Sequence, residues 1–96
     1  MVSILRSGQA GTVESNDILI TLHRAEEGSG ICIDLTSPVI KKYGRQIKAV
    51  IQACLQEREI TDARVVAADR GALDCTVRAR MMAAIDRAAP ERGSKG

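Results

Sequence analysis

The sequence predicts an α+β fold: a small two-layer sandwich, ββ(β)αβα, in which two helices pack on one face of a small mixed sheet. Three observations predict it. The first third of the chain contains short runs in which apolar and polar residues alternate, as in half-buried strands. Two later segments repeat apolar residues at helical spacing, and a short apolar run separates them. Because 96 residues suit one domain, we expect a single domain over 1–96 with flexible ends at 1–8 and 90–96.

The N-terminal third predicts two or three strands. Segment 9–13 is a candidate short strand, and segments 18–24 and 31–35 alternate in the manner of strands with one buried face. Turn-forming residues separate them at 15–17 and at 26–30. This spacing favours an antiparallel meander.

Ser37 and Pro38 predict the start of a helix that runs to about Arg58, with Ser37 as N-cap and Pro38 in the first helical position. Its apolar side chains share one face and are expected in the core. They are Val39, Tyr43, Ile47, Val50, Ile51 and Cys54. Its other side carries a basic patch, made of Lys41, Lys42, Arg45 and Lys48. Such a patch is either a solvated face or a docking surface for an acidic partner.

The run 63–68 predicts a further strand, and Asp69 is a candidate N-cap for the second helix. The apolar stripe of that helix is Leu73, Val77, Met81, Ala84, Ile85 and Ala88. The strand–helix–strand step is expected to cross over right-handed if its strands are parallel neighbours. Asp74 and Arg78 stand four residues apart, as in an ordinary surface pair, while Arg80 projects to nearly the opposite side from Arg78.

Composition excludes several classes of function. Tyr43 is the only aromatic residue and the net charge is +2, so neither base stacking nor bulk charge points to nucleic acid. The three scattered cysteines and the single His23 do not form a metal-binding set, and they indicate reduced thiols. With no apolar run of membrane-spanning length and no leader pattern, we expect a cytoplasmic protein without a membrane partner.

Ser15 is the most informative candidate site, because the turn at 15–17 is expected to expose its hydroxyl. A turn serine is a poor nucleophile unless a base activates it, and His23 is the only histidine. A small hydrolase using Ser15 and His23 is one interpretation; a sheet-face histidine is the simpler one. The residues alone leave Ser15 as a turn serine or as the target of a modifying enzyme.

Two blocks narrow this choice. Segments Ala10–Asp17 and Arg70–Arg80 together resemble the citrate lyase acyl carrier protein, or gamma subunit, family. The resemblance covers roughly residues 8 to 88, with Val13 where the family pattern has Leu. The tail after Pro90 does not resemble the apolar ending of several members.

The resemblance implies a non-catalytic carrier, with no catalytic and no metal-binding residue of its own. It implies that Ser15 is linked by a phosphodiester to 2'-(5''-phosphoribosyl)-3'-dephospho-CoA, placed there by a prosthetic-group transferase. The thiol of that group would hold acetyl and citryl thioesters. The alpha subunit (acyl transferase) would exchange acetyl for citrate, and the beta subunit (acyl lyase) would release oxaloacetate, as in citrate fermentation.

Two alternatives stay open beside this interpretation. Malonate decarboxylase uses a related small carrier with the same kind of prosthetic group. An unmodified interaction module would instead bind an acidic protein through the basic patch. For the carrier interpretation, the spacing of Glu14 and Asp17 also predicts modest repulsion of a phosphodiester on Ser15, which would favour an arm that projects outward.

Overall fold

The chain folds as the predicted two-layer α+β sandwich. The computed structural model describes residues 4–89. Three strands precede the first helix, and a fourth strand separates the two helices. In chain order the elements are β1 (Gly8–Ala10), β2 (Ile18–His23), β3 (Ile31–Thr36), α1 (Ile40–Glu57), β4 (Ala63–Asp69) and α2 (Asp74–Ala88). This order confirms the predicted ββ(β)αβα pattern, with its third strand present.

The strands form one mixed sheet in the order β1-β2-β4-β3. β1 and β2 form an antiparallel hairpin, and β4 runs antiparallel to β2 and parallel to β3. The predicted meander is therefore wrong at its second step, because β4 lies between β2 and β3. Alternate residues of β4 are fully buried while those of β3 are half-buried, as expected for a central strand beside an edge strand. Because β3 and β4 are parallel neighbours, the right-handed crossover is the expected hand of their connection.

β1 ends at Ala10 rather than at the predicted Val13. The next residue, Gly11, has a φ of 99° and so leaves the extended conformation. The connection to β2 is consequently longer than a tight hairpin turn.

One aliphatic core lies between the sheet and the helices. α2 packs against β1 and β2, and α1 packs against β3 and α2. The largest apolar side chains with almost no exposed surface are Ile18, Ile20, Leu22, Ile51, Leu55, Val65, Val77, Met81 and Ile85. Burying each one stabilises the fold by roughly 1.5–3 kcal/mol. Aliphatic and methionine side chains therefore fill the core, without the buried aromatic rings that many other cores contain.

Neither helix begins where local capping rules predict. α1 begins at Ile40, two residues after Pro38, and α2 begins at Asp74, and neither has a side-chain N-cap. The Ser37 hydroxyl accepts from the Val39 amide at 3.1 Å, just ahead of the helix, and donates to the buried Asp69 carboxylate at 2.7 Å. The other oxygen of Asp69 accepts from a loop amide three residues later at 2.9 Å. The predicted caps thus bind each other across two loops, a tertiary contact that local spacing does not reveal.

The predicted apolar stripes are buried except at the helix starts. α1 buries its stripe from Ile47 onward, with one position half-buried, and α2 buries its stripe from Val77 onward. Val39, Tyr43 and Leu73 were expected in the core, but they are 37%, 47% and 70% exposed. All three lie at helix starts, where the described elements leave them partly exposed.

The N-terminal segment has packing partners in its described part. Ile4 is buried, and the amides of Leu5 and Arg6 donate to the Ala88 carbonyl at 2.9 and 3.3 Å. These contacts tie the segment to the end of α2. The flexibility expected for residues 1–8 stays a prediction, and the tail 90–96 lies outside the described residues.

Candidate attachment site

Ser15 lies at the outer end of the loop that joins β1 to β2. The Asp17 amide donates to the Glu14 carbonyl at 3.2 Å, which closes a turn around Ser15 and Asn16. Asn16 has a φ of 65°, a left-handed conformation in which Asn is enriched. Ser15 is exposed, and no residue within 4–89 hydrogen-bonds its hydroxyl. The hydroxyl is therefore open to reaction with another protein.

The connection between β4 and α2 binds the main chain of this turn. The Asn16 amide donates to the Arg70 carbonyl at 2.8 Å, and the Arg70 amide donates to the Asp17 carbonyl at 2.9 Å. These two bonds extend the β2–β4 ladder beyond its last pair, Ile18 and Asp69. Because they join main-chain groups, the sheet itself fixes where the turn stands.

Asp17 ties the same loop to α2. Its carboxylate accepts from Arg80 at 3.0 Å (Nε) and 2.9 Å (Nη2). The Thr12 hydroxyl donates to it at 2.8 Å and the Ile18 amide at 2.7 Å. Only 14% of the Asp17 side chain is exposed. These hydrogen bonds, above all those from Arg80, hold the pKa of Asp17 well below its usual range, so the carboxylate is charged at any physiological pH.

Because of this ion pair, the charge around Ser15 differs from the charge that the sequence predicted. Glu14 and Asp17 were predicted to repel a phosphodiester together. Arg80 neutralises Asp17 through a bidentate contact, which is the stronger kind of charge-assisted hydrogen bonding. Within loop 11–17, Glu14 is then the carboxylate left without a paired cation.

Gly11 is required where the loop leaves β1. Its φ of 99° is one that L side chains rarely adopt. A Cβ at this position would lie 1.8 Å from the Ile18 carbonyl oxygen and 3.3 Å from Cδ of Arg80. A side chain here would push the loop away from both β2 and α2.

His23 lies at the opposite end of β2 from the Ser15 turn. The five residue steps along the strand span roughly 16 Å at the usual rise of a strand. Its Nδ1 is 3.0 Å from the Ser7 hydroxyl oxygen, at the other end of the hairpin. The hydrolase interpretation based on Ser15 and His23 is therefore wrong, and His23 is a sheet histidine.

Comparison with known proteins relates nearly the whole chain to one group of carriers. An acyl carrier protein family model, described as malonate decarboxylase delta subunit (MdcD), matches residues 6–88. A relative from Streptococcus uberis named citrate lyase acyl carrier protein is 46% identical over 88 residues, which cover 92% of this chain and 85% of the relative. The chain belongs to the citrate lyase acyl carrier protein family. Relatives of the same name from Oenococcus oeni (47% over 87 residues; 91% of this chain, 88% of the relative) and Lacticaseibacillus casei (46% over 91; 95% and 88%) agree.

Membership of the citrate lyase acyl carrier protein family confirms the resemblance drawn from two sequence blocks, and those blocks meet in the structure. Segment Ala10–Asp17 carries Ser15, while segment Arg70–Arg80 supplies the main chain behind the turn and the guanidinium that binds Asp17. Helical spacing alone placed Arg80 on the surface of its own helix and did not indicate this contact. About sixty residues separate the partners, so no local spacing signals it.

The other predicted contact of the second block is wrong. Arg78 does not pair with Asp74: it donates to both carboxylate oxygens of Glu57 at 2.8 and 2.5 Å, and Asp74 accepts from Gln46 at 2.7 Å. These contacts join α2 to α1, because the neighbouring helix offers partners that replace the one four residues away. The Arg78 hydrogen bond also lowers the pKa of Glu57.

The Ser15 turn fits a covalent phosphodiester. The Ser15 hydroxyl is exposed and has no hydrogen-bond partner among the described residues. Arg70, which binds Asn16 through its main chain, is also exposed, and its guanidinium has no partner among the described side chains. Residues 4–89 contain no group of three His, Cys, Asp or Glu that could hold a metal ion. Over the same range, neither helix is long and apolar enough to cross a membrane. The four residues of the basic patch are exposed, and their use for docking stays a prediction.

Proposed function

We propose that this chain is the acyl carrier of a citrate lyase complex, with 2'-(5''-phosphoribosyl)-3'-dephospho-CoA linked to Ser15 through a phosphodiester. When bound, that group supplies a thiol that holds an acetyl or citryl residue as a thioester. The partners are the alpha and beta subunits, which carry out the acyl transfer and the cleavage of citrate to acetate and oxaloacetate, and a prosthetic-group transferase. We place this activity in the cytoplasm.

The observation that carries the proposal is the contrast between the free Ser15 hydroxyl and its fixed surroundings. Main-chain bonds from Arg70 and the Asp17–Arg80 ion pair hold the turn at the edge of the molecule. A transferase can therefore reach the hydroxyl without unfolding the carrier. A prosthetic arm attached there would start from a fixed point, which suits delivery to two separate partner subunits.

Intact-mass spectrometry tests the attachment site. Protein made beside its own transferase should show the mass of the prosthetic group, and Ser15→Ala should remain at the mass of the bare chain. The substitution should change the free energy of unfolding by less than about 0.5 kcal/mol, because it alters one exposed turn side chain. Circular dichroism checks that the variant is folded.

Ser29→Ala is the matched control. Ser29 is also an exposed turn serine, but its hydroxyl donates to the Glu26 carbonyl at 2.6 Å. This variant should load as the wild type does. Loading of Ser15→Ala, or mapping of the added mass to another residue, would contradict the proposal.

A second candidate function is supported by the family model, whose description names a malonate decarboxylase subunit. The same Ser15 attachment would then serve a different pair of partner enzymes. Incubating the loaded carrier with the citrate lyase subunits, and separately with the malonate decarboxylase subunits, distinguishes the two. Acetate and oxaloacetate formed from citrate support the first function, and carbon dioxide released from malonate supports the second.

A further inference from the structure

An apolar groove lies between the start of α1 and the connection from β4 to α2. Its volume is about 520 Å³, which is within the usual range for small-ligand sites. Its apolar lining residues are Val39, Tyr43, Ile47, Ala72 and Leu73. Three of them are the residues that helical periodicity wrongly placed in the core. The groove thus gathers three apolar side chains that the domain itself leaves exposed.

The exposure of these side chains is unfavourable for an isolated domain. Leu73 is 70% exposed and Tyr43 is 47% exposed, although both stand beside the core. Unlike scattered exposed apolar residues, which need no explanation, these side chains lie together along one groove. Folding therefore leaves a site that an apolar or partly apolar ligand can cover.

The groove is continuous with the Ser15 turn. Gly71 lines the groove, and a Cβ on Gly71 would lie 3.6 Å from Oδ1 of Asn16, the residue after Ser15. The preceding residue, Arg70, makes the main-chain hydrogen bonds that hold the turn. A chain attached to Ser15 accordingly starts beside one wall of the groove.

The polar groups of the groove select against phosphate. Asp69 and Asp74 line it, and no Lys or Arg is among its described lining residues. Gln46 donates to Asp74 at 2.7 Å, while its own carbonyl oxygen accepts no hydrogen bond from any described residue. Apolar walls with an amide acceptor suit an uncharged chain that contains amide groups.

We propose that this groove is the resting site of the prosthetic arm, and that it takes the uncharged amide-and-thiol end of the arm rather than its phosphates. The inference rests on the proposed attachment at Ser15. Docking there covers Leu73 and Tyr43 when no partner subunit holds the arm. It also shields the thiol or thioester from water and from thiol reagents.

The test compares ¹⁵N-labelled apo and loaded carrier, after intact mass has shown that Ser15 is modified. Loading should shift the amide resonances of Val39, Gln46 and Leu73 as well as those of the turn. Leu73→Gln should load normally but lose the groove shifts, because the substitution places an amide in the apolar wall. Leu5→Gln is the control, since Leu5 is 55% exposed at the opposite end of α2 and should keep the groove shifts.

A second readout is alkylation of the arm thiol in a Cys32→Ser, Cys75→Ser background, in which both exposed cysteines are absent. The alkylation rate should rise with Leu73→Gln and stay unchanged with Leu5→Gln. If modified carrier shows shifts at the turn alone, the groove inference fails and the proposed function stands. Groove shifts that occur in apo protein on adding a partner subunit, and not on loading, overturn it in favour of a subunit interface. An unmodified mass refutes the attachment and the inference together.

Discussion

Replacing Gly11 by Ala tests whether the loop that carries Ser15 is fixed by close contact with β2. Two effects contribute to the cost. A left-handed backbone is unfavourable for Ala by about 1–2 kcal/mol. The new Cβ would also lie 1.8 Å from the Ile18 carbonyl oxygen, a main-chain atom that cannot rotate away. Forcing extra volume into a packed site costs about 1–3 kcal/mol more. We therefore expect a loss of about 2–5 kcal/mol in the free energy of unfolding.

Gly28→Ala isolates the contact from the backbone effect. Gly28 has a φ of 86°, close to that of Gly11, but a Cβ there would meet nothing within 4 Å. It should cost only the backbone contribution of about 1–2 kcal/mol. The difference between the two variants measures how tightly the loop approaches β2.

Urea denaturation followed by circular dichroism gives both values, and thermal unfolding provides a check. For a domain of this size, each kcal/mol corresponds to a shift in melting temperature of about 4–8 °C. Equal destabilisation by Gly11→Ala and Gly28→Ala would refute the argument, because it would show that the loop moves aside at no cost.

Two further predictions concern the core and the ion pair. Ile51→Ala should cost about 2–5 kcal/mol in urea denaturation, because it leaves a cavity in the core. The same truncation at Ile40, which is 41% exposed, should cost far less, and similar losses would contradict the assignment of the core. Arg80→Gln should raise the pKa of Asp17 toward its ordinary value of 3.8, as measured by ¹³C NMR titration, whereas Arg78→Gln should not. The native pKa of Asp17 lies below its unfolded value, so the stabilisation it gives is present above pH 3.8 and is lost as the pH falls further. This acid-side loss should be smaller in Arg80→Gln.

Local periodicity sufficed to predict the element order and the class of fold. The alternation in β2 and the helical stripes from Ile47 and Val77 onward match the buried faces, because each pattern reflects one element against one core. The same periodicity failed at Tyr43 and Leu73. A stripe in the sequence shows where apolar residues repeat along a helix, but it does not show where the covering surface ends.

Strand order could not be obtained in the same way. Both β3 and β4 alternate, and the sequence alone favoured pairing β3 with the strand before it. The parallel pairing of β3 with β4 through α1 sets the order instead, and this is a non-local choice. The capping predictions failed in part for the same reason. Ser37 and Asp69 bind each other across two loops, and each accepts from an amide ahead of its helix rather than from a helical residue.

The candidate site was only partly predictable from patterns in the sequence. The exposed turn serine was predicted from turn chemistry, but the features that hold the turn come from segments far away in sequence. Asp17 alone looks like a solvated turn carboxylate, and Arg80 alone looks like a surface helix cation; together they form the link between the loop and α2. Because β4 ends beside the turn and leads directly into α2, the sheet order that local patterns could not supply is what brings these residues together. The sheet order thus places the exposed Ser15 turn beside the segment that supports it, so that two blocks about sixty residues apart meet at one candidate site.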